Sequence, residues 1–247
     1  MFKLQRSIFK VLVDERSEAM DGGEDFTEAR TVALDGATAV RAAIELGVGQ
    51  LAIGGGGCDL LDADFTYNVP EWRPELDYAV QDGRGRLTLW QPSSERPRGV
   101  LEGRNRWDLR FAEQVPLDLG LKLGVIEGRL CLGKLALAGL SLEVGTGNFT
   151  LDLTETRARS LHIPIRAGVL NLKLIVPRDS GVQVEVRSPV LTMHAKEWQR
   201  ARHIWVNEAY GGTSDTMRVV IESGVASITL AQQSPVARLQ PVAPLLH

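Results

Sequence analysis

The sequence predicts an all-β chain wound as a right-handed parallel β-solenoid, carrying two loop insertions and able to form a short N-terminal helix. Three observations lead there. Apolar residues recur at alternate positions through most of the chain, which gives strands with one buried face. Five glycine-centred blocks share one twelve-residue frame without a gap, as stacked repeats require. Glycine is abundant, at 25 of 247 residues, and aromatics are few, at 6%, which favours turn-rich β structure over a helical bundle.

In chain order, residues 1–30 form an N-terminal segment and acidic linker or cap. MFKLQRSIFKVLVDE has a basic flavour but neither a long apolar run nor a small-residue cleavage site, so it does not read as a signal peptide. As a short amphipathic helix, its Lys3, Arg6 and Lys10 could touch anionic lipid; packed on the domain, it would be an end cap. Residues 14–30 are acidic and polar, the composition of an exposed linker. Residues 31–230 form the β domain, and residues 231–247 a Pro-rich, apolar tail suited to covering the last coil.

The blocks run 42–53, 121–132, 140–151, 161–172 and 217–228. Their shared glycines are Gly49, Gly128, Gly147, Gly168 and Gly224. Ile44, Leu123, Leu142, Ile163 and Val219 form one apolar column, and Ile53, Leu132, Leu151, Leu172 and Ile228 another. The glycine lets each strand turn where a side chain would clash or where φ is positive. Residues 175–186 supply a coil without that glycine. An antiparallel sandwich also gives alternating strands, but leaves the common frame unexplained.

Two segments break the repeat, residues 60–115 and 189–216, and hold all five tryptophans. Insertions in a solenoid gather on one face, often the binding face. Trp72, Trp107, Trp198, Trp205, Asn207 and Tyr210 are therefore the candidate interaction surface. For Trp72 and Trp107, pinning their insertions to the body is the favoured role over binding a ligand, and Asn207, beside a Gly-Gly turn, could bond the backbone.

Neither catalytic residues nor a cofactor or metal site emerges. GGGGCDLLD (residues 54–62) fits a calcium-binding nonapeptide, but calcium in such repeats sits between tandem turns and here there is one copy. In the shared frame one outward column reads Ala43, Lys122, Ser141, His162, Arg218. Glu45 and Glu143 share another with Gly124, Pro164 and Val220. No column gathers the carboxylates of a glycosidase. His194 and His203 lack a metal-ligand spacing, and GxxxxGK[ST], GxSxG and CxxC are absent. Five arginines lie in residues 95–110, yet the formal charge is −3, so nucleic acid is not an expected partner.

The ordered stretches IELGVGQLAIGGG, DFTYNVPEWRPELDY, NRWDLRF, VPLDLGLKLGVIEGRL, LSLEVGTGNFTLDL, LIVPRDSGVQVEV, VNEAYG and VVIESGVASITL resemble the toast-rack family of bacterial proteins. That family is related to the C-terminal domains of LiaF-like proteins of the cell-envelope antibiotic response. The resemblance implies a β-solenoid-like stack and a place near the envelope, and it carries over no catalytic residue. The chain differs from LiaF-like proteins in having no transmembrane helix.

The expectation is a non-enzymatic scaffold or interaction module in envelope stress, cytoplasmic or peripherally membrane-associated. Its partner would be another protein or a second copy of itself. The alternative is a carbohydrate-binding or carbohydrate-active β-helix protein, which would show exposed aromatics or clustered carboxylates in a groove.

Overall fold

The computed structural model of the chain describes residues 25–92, 103–156 and 160–233. Its strands are β1 (Phe26–Val32), β2 (Ala39–Gly55), β3 (Leu61–Tyr67), β4 (Glu75–Gln81), β5 (Arg84–Trp90), β6 (Asn105–Phe111) and β7 (Leu117–Cys131). They continue with β8 (Leu137–Asp152), β9 (Ser160–Pro177), β10 (Gly181–Arg187), β11 (Val190–His194), β12 (Gln199–Ala201), β13 (Ile204–Val206) and β14 (Thr216–Gln233). A 3-10 turn spans Pro70–Trp72. The helix expected over residues 1–13 and the tail from residue 234 onward lie outside the described residues.

All fourteen strands join one open, mixed sheet. Its centre is five long strands, β2, β7, β8, β9 and β14, paired side by side and parallel. Each has an N-terminal and a C-terminal arm that meet at a glycine. At one end β5 continues the N-terminal arm of β2 and β6 its C-terminal arm, both parallel. Beyond them β4, and then β3 and β1, pair antiparallel. At the other end β10 and β11 continue the two arms of β14 in parallel, and β13 and β12 close the edge antiparallel.

The inner columns are almost wholly apolar. Ile44, Leu121, Leu142, Ile165 and Ile221 occupy one register position and are all buried. Leu132 and Leu135, in the turn between β7 and β8, add to the same core.

Three expectations change. The two insertions are not loops. The first supplies β3 to β6 and the second β11 to β13, because runs such as NRWDLRF alternate in and out like any strand. β1 begins at Phe26, inside the expected linker. Its polar look comes from Glu28, which is buried and ion-paired to Arg30 at 2.7 Å.

The third change is the register. Leu46 pairs with Leu123 and Val48 with Val125, so Gly47 sits beside Gly124. By the same pairing the glycine row is Gly47, Gly124, Gly145, Gly168 and Gly224. The shared frame had placed Gly49, Gly128 and Gly147 in the first three positions. The slips between the frames are two or four residues. A strand's side chains alternate with period two, so an even slip leaves every inward residue inward.

Close approach, not positive φ, explains this row. A Cβ on Gly124 would overlap the Gly47 carbonyl oxygen. One on Gly145 would lie 2.8 Å from that of Gly124, and one on Gly168 would lie 2.7 Å from that of Gly145. Gly49, with φ +152°, is a separate case, its Cα turned against the backbone of Asn105.

Candidate functional site

The correct register assembles three outward rows that cross the strands at the bend. The first is Glu45, Lys122, Glu143, Arg166, Glu222 and Arg187, one residue from each parallel layer from β2 to β10. Its charges alternate along its whole length. Neighbours lie 3.6 Å (Lys122–Glu45), 3.9 Å (Arg166–Glu143), 3.6 Å (Arg166–Glu222) and 2.8 Å (Arg187–Glu222) apart. Exposed pairs like these contribute little each, about 0.2–1 kcal/mol, but alternation removes the repulsion a slipped register would create.

The second row is Val48, Val125, Thr146, Val169, Val225 and Val190. Four of these valines are conspicuously open: Val125 and Val190 at 58% exposure, Val169 at 46% and Val225 at 43%. The third row is Gln50, Glu127, Asn148, Asn171, Ser227 and Thr192, in which Asn171 donates to Asn148 at 3.0 Å. A depression of about 530 Å³ lies over the charged and glycine rows, and one of about 580 Å³ over the valine and amide rows. Isolated surface valines need no explanation, whereas four open valines in one six-residue row, interrupted only by Thr146, form an exposed apolar strip.

At both ends of the stack the bend needs finishing, because one long strand is replaced there by two short ones. Beside β2, side chains do this. The Gln91 amide oxygen accepts from the backbone N–H of Gly47 (3.1 Å) and Val48 (3.3 Å). Asn105 Nδ2 donates to the Val48 carbonyl at 2.9 Å, and Trp107 Nε1 donates to Asn105 Oδ1 at 3.0 Å. Beside β14, the Ser188 hydroxyl donates to the carbonyls of Val190 (2.8 Å) and Gly224 (3.4 Å). These groups bond backbone of the bend directly.

Each end also carries a buried carboxylate. Burial alone would raise the pKa of Glu28, but hydrogen bonds and charge from Arg30 and Arg73 overcome it and hold the carboxyl below its ordinary 4.5. Glu185 is held low first by its hydrogen bond from Arg218 (3.0 Å), then by that from Arg187 (2.9 Å). A carboxyl depressed in the folded state stabilises it above the unfolded pKa, and this stability is lost as pH falls through the folded value. Thermal melts should therefore show Tm falling from pH 5 downward as both ends loosen. E185Q should lower Tm at pH 7 and flatten that acid dependence; an acid limb of undiminished slope in both E185Q and E28Q would refute the assignment.

The six residues singled out from the sequence do not form one surface. Trp72, Trp107, Trp205 and Asn207 are buried. Trp107 stacks edge-on against Phe65 with ring centres 5.4 Å apart, and Arg200 lies over the Trp205 ring at 5.1 Å. Asn207 bonds backbone, accepting from Val182 N–H and donating to the Ser180 carbonyl, both at 2.8 Å. Trp198 is half-buried against the core, and Tyr210 is 41% exposed with its hydroxyl on Gln183 at 2.6 Å. Buried indoles cannot stack on a sugar, so Trp72, Trp107 and Trp205 offer no carbohydrate platform. Asn207→Ala should cost about 1–3 kcal/mol by orphaning the buried Val182 N–H and the half-buried Ser180 carbonyl, read by denaturant unfolding.

Sequence reading missed the valine row. Its signal was the dipeptide in which glycine precedes Val48, Val125, Thr146, Val169 and Val225. Among the described residues no cluster of His, Cys, Asp and Glu could hold a metal ion, and no helix is long and apolar enough to cross a membrane.

The family model described as the N-terminal domain of toast_rack matches residues 20–175, more than half of the chain. A solved structure of a candidate cell adhesion protein from Clostridium sporogenes is similar at 28% identity and a TM-score of 0.80, covering 85% of this chain and 100% of its own. A candidate adhesin from Bacteroides fragilis aligns at 9% identity over 83% of this chain and 96% of its own, but its TM-score of 0.26 carries no argument. No curated protein matches the sequence.

Proposed function

The chain belongs to the toast-rack family, and on that premise we propose that it is a non-enzymatic β-solenoid scaffold whose outward rows at the bend bind another protein in the bacterial envelope-stress response. The observation that carries this reading is the exposed valine row, framed by an alternating charged row and an amide row, on a stack whose interior is filled. A filled core with chemistry confined to a ribbed exterior suits recognition. The fold likeness to the Clostridium sporogenes cell adhesion candidate is in keeping with a surface-contact role.

The reading takes the five parallel long strands as successive coils of a right-handed solenoid whose body runs from Phe26 to Gln233; the expected covers for its ends, residues 1–30 and 231–247, lie for the most part outside the described residues. The short connection from β7 to β8, whose leucines turn into the core, supports such a coil. Trp198 and Tyr210 would extend the contact surface at one end, while the buried tryptophans hold the short strands that finish the stack.

The test uses native cells challenged with a cell-wall-active antibiotic. V125D/V225D changes only exposed side chains and should leave Tm unchanged. It should sensitise the cells as much as deletion of the whole chain does. If the deletion strain shows no change in sensitivity, the envelope role fails. If deletion sensitises and V125D/V225D does not, the valine row is not the working surface.

A further inference from the structure

We propose that the charged and valine rows form a two-fold contact between two copies of this chain. This deepens the interaction reading, on which it rests, by committing to the partner. The argument starts from charge order. Along the sheet the row reads Glu45, Lys122, Glu143, Arg166, Glu222, Arg187, that is, minus, plus, minus, plus, minus, plus. Adjacent members are set by the interstrand spacing of about 4.8 Å, so the row is about 24 Å long.

Laid against an identical row about a two-fold axis between Glu143 and Arg166, each member meets its mirror position. Glu45 then faces the partner's Arg187, Lys122 faces the partner's Glu222, and Glu143 faces the partner's Arg166. Every opposed pair is of opposite sign. This follows only because the row has an even number of alternating members. With five, the same axis would oppose like charges, and the sixth is supplied by Arg187 on β10. Two rows side by side in the same direction would set each charge against its own kind. Complementarity therefore selects a second copy and fixes its direction, as an isologous interface requires.

The valine row obeys the same axis. Val48 comes opposite the partner's Val190, Val125 opposite the partner's Val225, and Thr146 opposite the partner's Val169. Apolar meets apolar at every position but Thr146, which sets a short hydroxyl side chain against Val169, giving the contact a largely apolar strip beside its charged one. Lys122, Glu143 and Arg166 are free to re-pair: they are 68%, 61% and 69% exposed, and their intrachain contacts of 3.6 to 3.9 Å are loose, whereas Arg187 meets the partner while still bonded to Glu185 and Glu222.

Sedimentation velocity on the full chain across micromolar concentrations tests this. Wild type should form a dimer of about 54 kDa, twice the chain mass of 27.0 kDa. K122E sets two carboxylates opposite each other twice per dimer and should raise the dissociation constant at least about tenfold. The swap K122E/E222K restores opposite charges across the axis while leaving like charges beside one another within each chain. It should regain dimerisation to within about threefold of wild type, which no intrachain effect would produce. V169D/V225D should be monomeric with an unchanged Tm.

A monomer at every concentration overturns the proposal. So does a dimer indifferent to both K122E and V169D/V225D, which would place the contact elsewhere, for example at the open sheet edges. If wild type is monomeric and V125D/V225D still sensitises cells, the rows receive a different protein and only the two-fold inference fails. If the dimer behaves as described and deletion leaves the cells unaffected, only the envelope reading fails.

Discussion

Replacing Gly124 by alanine should destabilise the protein by about 3 kcal/mol or more, because backbone, not a movable side chain, occupies the space the methyl needs. The new Cβ would overlap the Gly47 carbonyl oxygen, and the next glycine in the row, Gly145, is already closed against Gly124. Relief would require parting β2 from β7 at the bend, and β7 is parallel to β8 through the same point. Gly120, four residues earlier on the same strand, is the internal control. Its nearest foreign atom would be the Ser141 hydroxyl at 3.6 Å, an ordinary contact. Gly120→Ala should stay within about 0.5 kcal/mol of wild type, or gain slightly by stiffening the unfolded chain. Urea unfolding of the two variants measures the difference; equal effects would show that the glycine row is not a close-packed seam.

Trp107→Ala should cost about 3–5 kcal/mol, the usual range for deleting a fully buried indole. Trp107 fills the core between Phe65 and the C-terminal arm of β2, and its N–H fixes the Asn105 side chain that holds the Val48 carbonyl. Trp107→Phe separates these two roles. It keeps most of the apolar volume but leaves Asn105 Oδ1 unpartnered, and should cost about 1–3 kcal/mol. Hydrogen exchange localises the effect: the Gly47 and Val48 amides, both bonded to Gln91, should lose protection in W107F ahead of the β8 and β9 amides. Uniform loss across all strands would mean that the Gln91–Asn105–Trp107 cluster does not finish the bend.

How much of this was legible in the sequence follows from the period of a strand. Alternation located the inner face correctly, since Ile44, Leu121, Leu142, Ile165 and Ile221 keep their parity under any even shift. The outward rows had no such protection. Several blocks contain two or more glycines, as at Gly47 and Gly49 or Gly145 and Gly147, and matching the wrong members slid Lys122 beside Ser141 instead of between Glu45 and Glu143. The charge alternation exists only in the true register, so it vanished from the misaligned columns.

Strand order was equally hidden. β14 lies between β9 and β10, and β2 between β7 and the pair β5 and β6, arrangements that local periodicity does not encode. The tryptophans were legible in part. Trp72 and Trp107 are buried, as the pinning reading favoured for them requires, and Trp107 stands two residues from Asn105 and two from Leu109, all three buried on one side of β6; Trp205, read as contact surface, is buried as well. No local pattern marked Glu185, which Arg187, Arg218 and His203 surround only in the fold.

The most direct test of the valine row as the working surface is photocrosslinking in living cells, with a benzophenone amino acid at Val125 or Val225 and controls at Arg86 and Thr27. The expected result is covalent protein adducts from the two row positions and none above background from the controls. Adducts of equal yield from all four positions, or none from Val125 and Val225, would contradict it.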